Sequence, residues 1–437
     1  MEKRRLSLII GFVFIELLGY SLFLPLLPYY AGSLGASPFL IGLLISSNAV
    51  AQLLAAPVIG RFSDTWGRRP MLLFSITGTL VSFVLLGFVD PLGRWLADVA
   101  PQLFTVSSAA LTWLFASRVL DGLAGGNVSL ARAYITDITD EKNRARGLGL
   151  IGAAFGTGFI IGPALGGTLS NWPYVTRIFE ANGLSRYAVP AAAATVLSVL
   201  NLVGVALWLP ESLTPEKRAK LADKSRSILP IGKLRDLLRR PRVGPLLQTR
   251  FFYSLAFTMF TTSFALYTRL RFGLTDQATS YIFTYVGVLV VLVQGVIVGY
   301  LTDRFKEKEI IVVAVAVLAV ALFGWAVVPN VALMLALLTF LPFSGGTLNT
   351  VTNSALTKAV AAEDVGGTLG LSTSLDSLTR ILAPALGGFL IEEFGAWAVG
   401  AGGALIMTWV VFYAWRCLIV DAQRCWDDQE PAVSETA

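Results

Sequence analysis

Twelve stretches of about 20 or more mostly apolar residues occupy most of the 437-residue chain, at 6–30, 39–60, 71–90, 103–131, 147–170, 189–209, 246–268, 279–301, 309–328, 331–356, 367–391 and 396–419. A helix needs about 20 such residues to cross a hydrocarbon core of about 30 Å. Only helices and closed barrels satisfy their own backbone groups in that solvent. The runs are continuous and not alternating, which argues against a barrel. The expected fold is an all-α integral membrane protein with twelve transmembrane helices. Composition agrees: 55% of residues are hydrophobic and only 14% charged, where soluble domains carry about 25% charged residues. A disordered chain, a nucleic-acid-binding domain and a disulfide scaffold are excluded. There is no histidine, and the two cysteines, Cys417 and Cys425, lie close to the C-terminus. Imidazole proton carriers and His-ligated metals are therefore ruled out.

The basic residues set the direction. Of 34 Lys and Arg, five fall in the even-side loops: Arg94, Arg177, Arg186, Arg269 and Arg271. Four lie within spans or at a span edge: Arg118, Arg132, Arg250 and Arg380. The other twenty-five fall in the loops and tails on the side of the N-terminus. A five-to-one bias places both termini in the cytoplasm. It also accounts for the net charge of +6 without a nucleic-acid partner. The basic start Met-Glu-Lys-Arg-Arg precedes an apolar run too long for a cleaved leader, so it reads as a retained first span.

The longest polar stretch, 211–245, holds ten Lys or Arg and splits the spans six and six. The expected organisation is a bundle over 1–210, a cytoplasmic connector over 211–245, a second bundle over 246–420 and a tail over 421–437. Within the connector, 232–240 could form an amphipathic helix on headgroups. The halves resemble each other. Gly162-Pro163-Ala164-Leu165-Gly166-Gly167 and Ala383-Pro384-Ala385-Leu386-Gly387-Gly388 are 221 residues apart, at corresponding span ends. Gly60 to Asp64 after span 2 corresponds to Gly299 to Asp303 after span 8. A duplicated six-helix unit, giving two pseudo-symmetric bundles, is expected.

Two motifs go beyond patterning. After span 2 come Gly60, Asp64, Gly67, Arg68 and Arg69. Gly60 would let helices approach closely, and Asp64 among arginines can form contacts in one conformation only, a latch. Asp303 and Arg304 form the second copy. This pattern resembles the signature of the major facilitator superfamily, departing from it at Phe62 and Thr65; Thr65 removes one charge from the latch. Span 5 carries Gly158, Gly162, Pro163, Gly166 and Gly167, a small-residue face with a kink. That string is similar to the antiporter motif of the superfamily's drug–proton exchangers. Glu16, Gly19, Pro25 and Pro28 in span 1, with Arg118 to Arg146, resemble the tetracycline-efflux branch. The resemblance fails at Ser82, where those exporters carry an acid, so tetracycline is not carried over as substrate.

Charges at mid-membrane are costly and mark pathways. Glu16 lies about 16 Å along a helix from Arg5, and low-dielectric surroundings would let it exchange a proton near neutral pH. Arg118 and Asp121 share a face at i,i+3, and the resemblance puts Arg118 near Glu16. Asp376 and Arg380 are one turn apart and can pair. Proton coupling is expected from these five, either as competition between proton and a cationic substrate at Glu16 or with some pairs purely structural. Asn48, Gln52, Phe252, Tyr253, Tyr267, Gln294, Asn349 and Asn353 are the expected pocket residues.

No nucleotide-binding loop occurs, so the energy must come from an ion gradient or from the substrate's own gradient, and no cofactor is needed. The expectation is a monomeric secondary transporter, not an enzyme, in a bacterial inner membrane. Its partners are the bilayer and a small molecule. It would export hydrophobic or amphipathic molecules by proton-coupled alternating access. A uniporter or symporter of an endogenous solute and a non-transporting sensor remain as alternatives.

Overall fold

A computed structural model describes residues 2–214, 216, 218, 238, 240, 242–361 and 364–420. The amphipathic helix expected over 232–240 lies almost wholly outside them, and the tail over 421–437 entirely so. Among the described residues there is no strand. The long helices are α1 (Glu2–Phe23, continued by Leu27–Ser33), α2 (Pro38–Trp66), α3 (Arg68–Gly87), α4 (Val106–Ala124, continued by Asn127–Ile138), α5 (Glu141–Leu169) and α6 (Ala188–Trp208). The second half supplies α7 (Gly244–Phe272), α8 (Asp276–Leu292, continued through a π turn to Arg304), α9 (Glu307–Val327), α10 (Phe340–Lys358, preceded by Val331–Leu338), α11 (Val365–Phe394) and α12 (Trp397–Trp415). Ten of the twelve are long and apolar enough to cross a membrane. The two that fall short are α4, broken after Ala124 and carrying Arg118, Asp121, Arg132 and Asp137, and α7, carrying Arg250, Arg269 and Arg271.

The chain divides into two compact units, Met1–Arg226 with Ala265–Val288, and Ser227–Phe264 with Leu289–Ala437. Unit 1 thus takes in the end of α7 and most of α8. Buried Asp276 holds that segment: it pairs with Arg186 at 3.3 Å and accepts from Ser170 and Asn171 at 3.4 Å. The Tyr29 hydroxyl adds a 2.7 Å hydrogen bond with Thr279.

In unit 1, α4 breaks at Gly125–Gly126. Backbone groups freed in hydrocarbon need partners, and neighbouring helices supply them. Gln52 of α2 donates to the Gly125 carbonyl at 2.7 Å. Ser75 of α3 donates to the Ala124 carbonyl and accepts from the Gly126 N–H.

The small-residue face of α5 seats α1. A Cβ at Gly162 would strike Ser21 Oγ, and one at Gly166 would strike the Leu22 carbonyl. At Gly167 it would meet Ser280 of α8 at 2.5 Å. At Gly158 it would make only ordinary contact, at 3.4 Å from Leu17. Ser21 completes the seam by donating to the Gly158 carbonyl at 2.8 Å. Unit 2 repeats the device, with Gly387 of α11 against Ser263 and Met259 of α7. Gly166→Leu is therefore expected to force α1 off α5, cost about 1–3 kcal/mol in overpacking and so lower the melting temperature of the purified protein. Gly158→Ala should melt like wild type. Equal melting of the two variants would contradict this packing.

Candidate functional site

Glu16 sits inside unit 1, facing α3, α4 and α6. Asn127 Nδ2 donates to its Oε1 at 2.5 Å and Asn201 Nδ2 to its Oε2 at 3.2 Å. Asn127 Nδ2 also reaches Thr79 Oγ1 at 3.3 Å. Ile9, Phe12, Val13, Leu72, Ile76 and Val205 close round it, leaving a cavity of about 10 Å³. That is room for about one water and for no organic cation. No cation pairs with Glu16 among the described residues. The carbonyl oxygens of both asparagines are buried without a partner. An amide can present either its NH2 or its carbonyl. The same two side chains can therefore donate to an ionised Glu16 or accept from a protonated one.

Arg118 does not reach Glu16. Its Nη1 pairs with Asp121 at 3.5 Å, as the i,i+3 spacing implies, and its Nη2 donates to Ser82 Oγ at 3.2 Å. Ser82, the position at which the sequence resemblance fails, thus meets the arginine. Asn48 of α2 donates to Asp121 at 2.9 Å and to the Arg118 carbonyl at 3.1 Å.

In unit 2, Asp376 is not paired with Arg380, contrary to the sequence expectation. It is taken by Arg250 of α7, with Nη2 at 2.6 Å and Nε at 3.3 Å, a two-pronged contact. Arg250 Nη1 also donates to Asn353 at 2.8 Å and Nη2 to Asn349 at 3.2 Å. Ser254 donates to Asp376 at 3.2 Å. Arg250 is 5% exposed, so its donors need these acceptors. A bidentate partner across helices outcompetes the neighbour one turn along. Arg380 is exposed and, among the described residues, makes no hydrogen bond or ion pair.

Long helices with no strand among the described residues agree with the family that the comparisons find. A family model for the Major Facilitator Superfamily matches residues 9–341 and 282–432. The chain belongs to the major facilitator superfamily. This facilitator is 32% identical over 392 residues to Solute carrier family 22 member 18 of Mus musculus, covering 90% of each chain. It is 29% identical over 421 residues to the class C tetracycline resistance protein of Escherichia coli, covering 93% of this chain and 96% of that one. Among solved structures, the human organic anion transporter MFSD10 (TETRAN) has a TM-score of 0.63 at 22% identity, covering 94% of this chain and 99% of that one. The facilitator is thus a multi-pass membrane transporter with drug-efflux relatives.

The facilitator's signature loop is tied down inside unit 1. Arg68 pairs with Asp64 at 2.8 Å and with Asp137 at 3.0 Å. Glu211 caps the start of α3, accepting from the Arg68 and Arg69 backbone N–H groups at 2.9 and 3.1 Å. The Arg69 guanidinium donates to the Ala206 carbonyl. Gly67 has φ +111°, and a Cβ there would strike Glu211, so glycine is required twice over. Gly60 faces open space; the close helix approach expected there is absent. In the second copy, Arg304 lies over the Tyr300 ring at 4.2 Å. Asp303 is exposed, lines a cavity of about 1000 Å³ in unit 2 and forms no ion pair among the described residues.

The eight expected pocket residues do not share one place. Asn48 and Gln52 tie α2 to α4, while Asn349 and Asn353 hold Arg250. Phe252 packs edge-on against Trp409 at 4.8 Å. Tyr253 and Tyr267 are buried, and Gln294 is exposed beside Gly346. Sequence reasoning passed over Asn127, Asn201 and Glu211. Arg250 was visible only as one of four basic residues within spans or at a span edge.

Proposed function

We propose that this facilitator is a proton-coupled exporter of amphipathic small molecules, working by alternating access with both termini in the cytoplasm. The observation that carries this reading is Glu16, a carboxyl with no countercharge whose two amide partners can satisfy it ionised or protonated. Asn127 begins the second segment of α4, directly after the Gly125–Gly126 break. Uptake of a proton turns the amide that Glu16 faces, and the turn acts on the joint of α4. The first segment carries Arg118 and Asp121, so the joint links the proton site to the charges of α4. Coupling then runs through the helix, as a differential stability of two states, and not through shared occupancy. The likeness to a tetracycline resistance protein and the small-residue seam of α5 support export.

The test is a proteoliposome assay with an imposed pH gradient, an internal pH dye, and tetracycline, ethidium and 2-naphthoate as separate probes. The expected result is proton movement opposite to at least one probe. Protons moving with the probe would replace this reading by symport. Probe movement without protons would replace it by uniport.

A further inference from the structure

We propose that Arg380 is an anion-recognition residue of this facilitator, and that its cargo carries a carboxylate, sulfonate or similar acidic headgroup on an amphipathic body. Arg380 lies fifteen residues after Val365 and fourteen before Phe394, at the middle of α11. At about 1.5 Å per residue it is roughly 22 Å from either end. The charge therefore sits near mid-depth, where its side chain cannot snorkel to a surface.

Position round the helix sets Arg380 apart from the apolar surface of α11. Leu378, Leu382, Leu386 and Phe389 form the exposed apolar stripe of α11. Leu378 and Leu382 are each two residues from Arg380, about 200° round the axis at 3.6 residues per turn. Arg380 thus points away from the stripe. Its own side carries Thr373 and Ser377, seven and three residues earlier. Their hydroxyls are already used on the Leu369 and Thr373 carbonyls at 2.9 and 3.1 Å. The carboxylate one turn before, Asp376, is held by Arg250 from the other helix. The result is an exposed mid-membrane guanidinium with unfilled donors and no countercharge among the described residues.

A guanidinium does not deprotonate, so this positive charge is permanent. An intramembrane charge facing away from lipid marks a substrate or ion path. Its planar fork matches two oxygens of an acidic headgroup. Glu16 and Arg380 then divide the labour, one for the proton and one for the cargo. The proposal rests on the transport reading only in that a cargo is bound.

Equilibrium binding of three matched probes to the full-length protein in nanodiscs tests it: 2-naphthoate, 2-naphthamide and 2-naphthylmethylammonium. Wild type is expected to bind the carboxylate at least about tenfold more tightly than the other two, the scale of one charge-assisted bidentate contact. Arg380→Gln should erase that preference at an unchanged melting temperature. Arg380→Lys, keeping the charge and losing the fork, should fall between. Equal naphthoate affinity in wild type and Arg380→Gln, or a wild type that prefers the cation, would overturn the proposal. Wild-type proton flux measured in parallel separates the two readings. Anion preference without flux removes only the coupling, and flux without anion preference removes only this assignment.

Discussion

Glu16→Gln is expected to reduce pH-gradient-driven transport in proteoliposomes to the level of passive leak, with the protein still folded and still able to bind cargo. Glutamine matches glutamate in volume and can bond to Asn127 and Asn201 in either amide orientation. Nothing in the packing round the side chain changes, and only the exchangeable proton is lost. The rate of the wild type should vary with pH on the two faces of the membrane, whereas the residual rate of the variant should not. Binding energy alone cannot restore uphill movement, because a gradient does work only through a group that carries the ion. The measurement is uptake of whichever probe the wild type moves, with and without the gradient. A glutamine variant that retains gradient-driven accumulation would remove Glu16 from the mechanism.

Asp376→Ala is expected to be the most damaging single substitution for stability. It leaves Arg250, 5% exposed, with only two asparagine carbonyls for its charge. Removing one partner of a buried pair costs about 3–5 kcal/mol, because the remaining ion cannot shed its charge or reach water. The two partners are not equivalent. The Asp376 side chain is 27% exposed and that of Arg250 only 6%. Arg250→Ala should accordingly cost less, since Asp376 keeps the Ser254 hydroxyl and some access to solvent. Melting curves of the two purified variants in the same detergent check the order. If Arg250→Ala melts at the lower temperature, the asymmetry argued from exposure is wrong.

Hydrocarbon leaves a chain few options, so the spans could be read from residue order alone. The seam of Gly162 and Gly166 was equally legible, because side chains smaller than alanine on one face have a single steric consequence. The Arg118–Asp121 pair followed from helix geometry within one element. Asp376 shows the limit of that geometry. Spacing reveals partners one turn away, but its partner lies 126 residues back in the chain. The same blindness hid Asn127 and Asn201, which look like any other polar residues until the fold sets them on either side of Glu16. Gly60 erred the other way: small size permits close approach but does not compel it. Glu211 falls within the expected cytoplasmic connector, and its role as a cap on α3 depends on a contact with Arg68, 143 positions earlier.

The elbow of α4 carries its own consequence for speed. Ser75 and Gln52, each on a neighbouring helix, grip the loose peptide groups on both sides of the bend. A helix bent here without them would bare an amide to oil. With them, the peptide groups at the break keep hydrogen bonds inside the bundle. A change of angle at this bend would then be limited by side-chain rotation, and not by stripping polar groups bare in hydrocarbon.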